Sequence, residues 1–284
     1  MLRFKQLCYT LIIATSALGA VVNLAPDTVA YGGQQSAAMG RQTGADNEYQ
    51  TGAILWQQTS GEYRALAYQA FHLAQVMFDQ DLRQQRRNRR ARAVVVDVDE
   101  TVLDNSRFQA ELVLKEQPYD QQGWHSWCER AEATAIPGAV EFLQYATRRG
   151  ARIFYVTNRR TTEKPCTVKN LQRMGFPGVR TETVMVREEG TSASKESRRQ
   201  LIATRYRIVL LMGDNLNDFS DLFAGKGIPD RAAAVDQSRA QFGTRFIVLP
   251  NPMYGDWENS VYDNKPGLSD AEKRARRRAA LKGL

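Results

Sequence analysis

The stretch Ala93-Val94-Val95-Val96-Asp97-Val98-Asp99-Glu100-Thr101 decides the fold. Its first part is a short β-branched run without apolar–polar alternation, the pattern of a parallel strand covered on both faces. It ends abruptly in acidic and hydroxyl residues. Side chains two apart on an extended chain point the same way, so Asp97 and Asp99 can share one pocket as the chain leaves the sheet. Downstream the pattern repeats. Pro137-Gly138 opens a helix with Val140, Leu143 and Ala146 on one face, and Gly150 closes it. Further strands are predicted at Ile153-Phe154-Tyr155-Val156, Val184-Met185-Val186, Ile208-Val209-Leu210-Leu211-Met212 and Phe246-Ile247-Val248-Leu249, the last stopped by Pro250. Helices are predicted from Pro165 to Met174, stopped by Gly175, and from Lys195 to Ala203. This alternation predicts an α/β domain, an open parallel sheet with helices on both faces. The segment between Asn105 and Ile136 is expected to form helices over the strand ends as a small cap-like region. Upstream, Thr59-x-x-Glu62 has the form of a capping box. Tyr63, Leu66, Ala67, Ala70, Phe71, Ala74, Met77 and Phe78 then recur at helical spacing, a long amphipathic helix that ends where arginines begin.

The chain has 284 residues, 43% hydrophobic and 25% charged. That balance excludes a wholly disordered chain and a collagen-like fibre, and three cysteines exclude a dense disulfide scaffold. The net charge is +8, but residues 83–92 carry +6 and residues 269–284 carry +4, so the rest of the chain nets −2. A nearly neutral body with two basic runs argues against a general nucleic-acid or membrane surface, and no stable nucleic-acid partner is expected. Arg3 and Lys5, the uncharged run Leu7–Ala25 and the small-x-small Thr28-Val29-Ala30 have the order of a signal peptide. Cleavage after Ala30 is the preferred reading. A site near Ala17-Leu18-Gly19 and an uncleaved anchor are the alternatives, although Asn23 and several Ser/Thr make a poor membrane span. The predicted organisation is a signal peptide over 1–30, a mobile lead-in over 31–58 that orders near Ile54-Leu55-Trp56, one domain over 59–262 and a basic tail over 263–284. Export to the periplasm or beyond places Cys128 and Cys166 in an oxidising compartment. Whether they pair is left open by the sequence.

In an open α/β sheet the ligand site lies beyond the carboxyl ends of the strands. There the chain offers Asp97 and Asp99 after the first strand, Thr157-Asn158-Arg159 after the second, Lys195 at the helix after the third, and Gly213-Asp214-Asn215-Leu216-Asn217-Asp218 after the fourth. Two carboxylates at each of two strand ends repel one another. A hard divalent cation relieves that repulsion, and Mg²⁺ is the usual choice for oxygen ligands plus a substrate phosphate. A carboxylate held by metal stays ionised and available as a nucleophile. Thr157 and Lys195 supply a hydroxyl and a cation for phosphate oxygens. The constellation reads as phosphoryl transfer through an aspartyl-phosphate.

Asp97-x-Asp99-x-Thr101, Thr157, Lys195 and Gly213-Asp214-x-x-x-Asp218 resemble the motif series of the haloacid dehalogenase (HAD) superfamily. The longer strings Val95–Ser106, Pro137-Gly138-Ala139-Val140-Glu141-Phe142-Leu143, Phe154–Arg159, Gly213–Asp218 and Tyr254-Gly255-Asp256-Trp257 are similar to those of the class C acid phosphatases, a group that includes bacterial outer-membrane lipoprotein 5′-nucleotidases. The resemblance spans about Glu62 to Tyr262 and implies a HAD-like fold and a small phosphomonoester substrate, nucleoside monophosphates being the expected class. It implies that Asp97 is the nucleophile and that Asp99 protonates the leaving oxygen and then activates water. It implies Mg²⁺ held by Asp97, the Asp99 backbone carbonyl and Asp214, with Asp218 supporting the site through water. Thr157, Asn158 and Lys195 would hold the phosphate. A homodimer is compatible with the resemblance. Two departures stand out: the chain lacks a lipobox cysteine, and Arg107 follows Ser106 where a proline is expected.

Other features carry blander readings beside the functional ones. Trp124 and Tyr254 are candidates for stacking on a nucleobase, with core or cap packing as the alternative; Trp127 and Trp257 are weaker ones. Arg159 and Arg160 are read equally as steering an anionic substrate or as solvated strand-end residues. His72 and His125 are read as structural, and no Arg-His-Gly or Cys-x5-Arg motif supports a histidine or cysteine phosphatase. The rival functions are a surface or nucleic-acid binding protein working through the basic runs, and a phosphotransferase using the same site.

Overall fold

The computed structural model describes residues 46–84 and 90–284. The predicted signal peptide, the first part of the lead-in and the middle of the first arginine run lie outside the described residues. In chain order, α1 (Thr51–Thr59) and α2 (Gly61–Gln84) lead to β1 (Arg92–Val96). β2 (Leu103–Asp104), α3 (Ser106–Leu114), α4 (Gln121–Arg130) and β3 (Thr134–Ala135) follow, with β2 and β3 paired antiparallel. Next come α5 (Ala139–Arg148), β4 (Arg152–Arg160), α6 (Lys164–Arg173), β5 (Val184–Arg187), α7 (Glu196–Arg205) and β6 (Arg207–Gly213). The chain closes with α8 (Ile228–Gln237), β7 (Phe246–Val248), α9 (Asp256–Val261) and α10 (Asp270–Ala280).

The five-stranded sheet runs β5-β4-β1-β6-β7, with every pair parallel. β1 is central, with Val95 opposite both Phe154 and Leu211. Its unbroken apolar run is explained by the two layers that cover it. Val94 and Val96 pack with Ala67, Phe71 and Phe78 of α2 and with Phe142 and Leu143 of α5. Ala93 and Val95 face the other way, toward Ile202 of α7, Ala234 of α8, Phe219 and Phe223. Each valine so buried stabilises the fold by about 1.5–3 kcal/mol relative to exposure. After β1 the chain moves outward through β4 and β5, then returns to β6 on the opposite side of β1. That reversal opens the crevice at the carboxyl ends of β1 and β6, the expected place for a ligand.

Three sequence expectations are corrected. Thr59 does not cap α2: it is the last residue of α1, where its hydroxyl donates to the Leu55 carbonyl (2.7 Å). Ser60 is extended and its Oγ accepts the Tyr63 N–H (3.0 Å), so the cap is one residue later. Within the described part of the lead-in, α1 begins at Thr51, ahead of the Ile54-Leu55-Trp56 stretch where order was expected. α1 packs Ile54 inward, Gln57 Nε2 donates to Asp104 Oδ1 (3.0 Å), and Trp56 meets Tyr63 edge-on. The basic tail holds a helix, α10, capped by Ser269 and Glu272. Arg274 and Arg277 of α10 pair with Asp46, and Arg276 pairs with Asp263. Among the described residues no helix is long and apolar enough to cross a membrane.

Candidate active site

The Asp97 N–H donates to the Met212 carbonyl (2.9 Å), which zips the end of β1 to the end of β6 and sets Asp97 beside Asp214. Asp218 reaches back over Gly213. A Cβ at 213 would collide with the Asp218 carboxylate, so only glycine admits this turn. Asp218 Oδ2 accepts the Asn215 N–H (3.0 Å), which fixes the carboxylate in place. The result is a group of three carboxylates, Asp97, Asp214 and Asp218, with one oxygen of each within 4.8 Å of the others. The Lys195 ammonium donates to Asp97 Oδ1 and to Asp218 Oδ1 (2.6 Å). Thr101 Oγ1 (3.1 Å) and Asn251 Nδ2 (2.9 Å) donate to the two oxygens of Asp214.

One ammonium does not balance three carboxylates gathered in a largely buried site. Burial raises Asp97 well above the ordinary carboxylate range even against Lys195, and the charges of Asp218, Asp214 and Asp99 add to it. Burial, then Asp218, push Asp214 up to about 7. Lys195 lies above its ordinary value, because Asp218 and Asp97 outweigh the burial that opposes its charge. An all-oxygen donor set with uncompensated negative charge fits a hard divalent cation. The carboxylate of Asp99, whose backbone carbonyl alone was expected at the metal, lies outside this group of three. The carboxylate of Asp218, expected to act through water, lies inside it.

Asp99 has other company. Arg159 Nη2 donates to its Oδ1 (2.7 Å) and Nε to both its oxygens (3.1 Å). Asn105 Nδ2 donates to Oδ1 (2.9 Å), and Thr157 Oγ1 lies 3.4 Å from Oδ2. Arg159 is therefore a buried partner of Asp99 rather than a solvated strand-end residue. Asn158 is exposed and its Oδ1 accepts from Arg198 Nη2 (2.8 Å). Glu100, next along, is fully buried with φ +55, a conformation that non-glycine residues rarely adopt. Its carboxylate accepts the Asn105 N–H (2.8 Å) and the Tyr254 hydroxyl, which holds the turn after Asp99.

Asp97, Asp99, Trp124, Thr157, Asn158, Lys195, Asp214, Asp218 and Tyr254 all line one cavity of about 870 Å³. Trp124 is buried, with the Arg159 guanidinium 5.1 Å from its ring centroid and Phe108 edge-on at 5.3 Å. Tyr119, which the sequence reading missed, lines the same cavity and is 57% exposed, so its ring is the more open surface. Asn251 was also missed; its place after the fifth strand, beside Pro250, was the available signal. Arg107, where a proline was expected, is exposed and does not line the cavity. Cys128 of α4 and Cys166 of α6, 38 residues apart, form a disulfide with Cα atoms 5.6 Å apart.

The sequence model of the HAD superfamily, subfamily IIIB (Acid phosphatase), matches residues 16–257. This chain belongs to that family. The structure of the class C acid phosphatase from Bacillus anthracis is 43% identical, covering 83% of this chain and 98% of that one with a TM-score of 0.79. The tungstate-bound structure from that organism gives the same figures. Acid phosphatase 1 of Solanum lycopersicum is 24% identical over 164 residues, 56% of this chain. The chain spans 57% of the length of that curated relative. The acid phosphatase match begins upstream of Glu62 and so takes in α1, which the motifs alone did not reach. HAD phosphatases in general use a divalent metal, in keeping with the carboxylate group at the ends of β1 and β6.

Proposed function

We propose that this acid phosphatase family member is an exported, Mg²⁺-dependent phosphomonoesterase acting on small monoesters, nucleoside monophosphates among them. The observation that carries the reading is the Asp97 carboxylate in the cavity lining, gathered with Asp214 and Asp218 and touched by the Lys195 ammonium. Mg²⁺ bound by Asp97, Asp214 and Asp218, with the Asp99 carbonyl, would neutralise carboxylate and phosphate charge. Asp97 attacks phosphorus while the ester oxygen departs, taking a proton from Asp99. A water then attacks the aspartyl-phosphate, Asp99 accepts its proton, and Asp97 and inorganic phosphate are released. Lys195, Thr157 and Asn158 bind the phosphoryl oxygens and stabilise charge that builds up in the transition state. The tungstate bound by the Bacillus anthracis enzyme is a tetrahedral oxyanion like phosphate, which favours a phosphate-shaped site.

Tyr119 and Trp124 form an aromatic wall suited to a nucleobase, and Tyr254, tied to Glu100, lines the same cavity. The Cys128–Cys166 disulfide supports an oxidising compartment and hence the signal-peptide reading of residues 1–30. The domain then begins with α1, and α10 belongs to it rather than to a free tail. The C-terminal basic run is a weaker candidate for a binding surface, since Arg274, Arg276 and Arg277 of its six cations already hold carboxylates.

The test is phosphate release from adenosine monophosphate and from an aryl phosphate, by wild type and Asp97→Asn, with Mg²⁺ and with chelator. Release from both esters that is lost in the variant and in chelator is expected. Release that survives in Asp97→Asn contradicts the assignment of the nucleophile.

A further inference from the structure

We propose that Arg159 is a positioning residue for Asp99, and that the Cys128–Cys166 disulfide and Thr167 form the socket that fixes it. The proposal rests on the reading of Asp99 as the proton donor. The Arg159 side chain is 2% exposed, whereas that of Asp99 is 20% exposed and faces the cavity. A guanidinium has five N–H groups in a rigid fork. Nε and one N–H of Nη2 are spent on Asp99, and the other Nη2 proton faces Asn105 Oδ1 (3.4 Å). Nη1 points away from the cavity, to Cys128 Sγ (3.2 Å) and Thr167 Oγ1 (3.2 Å). Every donor has an acceptor inside the protein, and none remains for a substrate anion.

The far side of the guanidinium is built from two helices, and the disulfide ties them together. α4 supplies Cys128 and Trp124, and α6 supplies Cys166 and Thr167. Thr167 Oγ1 gives its own proton to the Glu163 carbonyl (2.7 Å), which turns its lone pairs toward Arg159. Asn105 is held in turn, because its Oδ1 accepts the Trp127 indole N–H (2.9 Å) while its Nδ2 donates to Asp99. The Asp99 carboxylate is thus clamped by Arg159 and Asn105, which are held in turn by Cys128, Thr167 and Trp127, none of which lines the cavity. Proton delivery to a leaving oxygen is steep in geometry, and a displacement of about 1 Å can cost about 10²-fold. A poor leaving group, an alkoxide, depends on that proton; an aryl oxide departs with little help.

The experiment measures kcat/KM, which covers every step up to departure of the leaving group, for adenosine monophosphate and 4-nitrophenyl phosphate. The variants are Arg159→Lys, Thr167→Val and the double change Cys128→Ala with Cys166→Ala, with Asp99→Asn alongside. Arg159→Lys should lower kcat/KM for the nucleotide about 10²-fold and leave the aryl ester little changed. Thr167→Val and the cysteine pair should show the same selective loss at about a tenth of that size. Aryl ester turnover in the same preparation reports that the protein is folded, and Thr167→Val carries the test if the cysteine variant does not fold. Equal loss on both esters, or no loss on either, in Arg159→Lys and Thr167→Val overturns the proposal when Asp99→Asn is itself selective. If Asp99→Asn loses both esters equally, the reading of Asp99 as proton donor fails, and the proposal with it.

Discussion

Asp97 and Asp99 leave the same strand two residues apart, yet they enter opposite electrostatic settings. Asp97 shares one ammonium with Asp218 and lies beside Asp214, so its side of the cavity carries surplus negative charge. Asp99 is matched one to one with a buried guanidinium. The difference teaches what each half of the site requires. The Asp97 half is electrostatically incomplete and calls for a cation from solution, whereas the Asp99 half is complete and is built for orientation. A motif of two carboxylates at i and i+2 thus yields two distinct tools because β4 and β6, on either side of β1, bring different partners to each.

The comparison breaks most completely at Asp97. Asp97→Asn should lower kcat/KM roughly 10⁴-fold on aryl and nucleoside esters alike, since no leaving group removes the need for a nucleophile. Asp99→Asn should discriminate between them. Next in size is Lys195→Met, which strips the buried counterion from Asp97 and Asp218. Breaking a buried pair of this kind costs about 3–5 kcal/mol. A urea titration in chelator at neutral pH should show that loss, and saturating Mg²⁺ should recover part of it. An unchanged midpoint would mean that Lys195 does not balance the cluster.

The surplus charge also predicts a pH signature. The folded metal-free protein retains protons on Asp97 and Asp214 that the unfolded chain has released, because both carboxyls are raised in the fold. Stability from this cluster is therefore complete below the ordinary value of 3.8 and is lost as pH rises to about 7. In chelator, the wild type should lose stability relative to Asp214→Asn between pH 5 and 7.5, and Mg²⁺ should abolish that difference. Equal pH slopes in the two proteins would show that the cluster is not under electrostatic strain. The smallest expected effect is at Asn251, which only orients Asp214. Asn251→Ala should weaken Mg²⁺ about 10–100-fold, read from the Mg²⁺ dependence of the melting temperature, with turnover at saturating metal nearly restored.

The sequence made β1 and its acidic end legible because a doubly buried strand cannot alternate, and because the carboxyl ends of adjacent parallel strands must meet. Asp97, Asp99, Thr157, Asn158, Asp214 and Asp218, named from the strand ends, line one cavity for that reason, whereas the weaker aromatic candidates Trp127 and Trp257 do not line it. What was not legible depends on tertiary partners. α1 has a glycine at 52 and no side-chain cap, and it gains its order from Gln57 on Asp104 and Trp56 on Tyr63. The commitment of Arg159 required Cys128 and Thr167, whose approach depends on how α4 and α6 pack. The pairing of two cysteines 38 residues apart is a matter of the same packing. Ser60 and Thr59 both have a hydroxyl fit to cap a helix, and only the backbone turn between α1 and α2 chooses between them.

The claim at the centre is that the phosphoryl group passes through Asp97. The direct measurement is to mix Asp99→Asn, in which hydrolysis of the intermediate should be slowed, with an aryl phosphate and Mg²⁺. The reaction is then quenched in acid within the first turnover, and the phosphorylated peptide is located by mass spectrometry. The account predicts a phosphoryl adduct on the peptide containing Asp97, absent when Asp97→Asn is added to the same protein. An adduct on another residue, or aryl oxide released in the first turnover with no adduct at all, would contradict it.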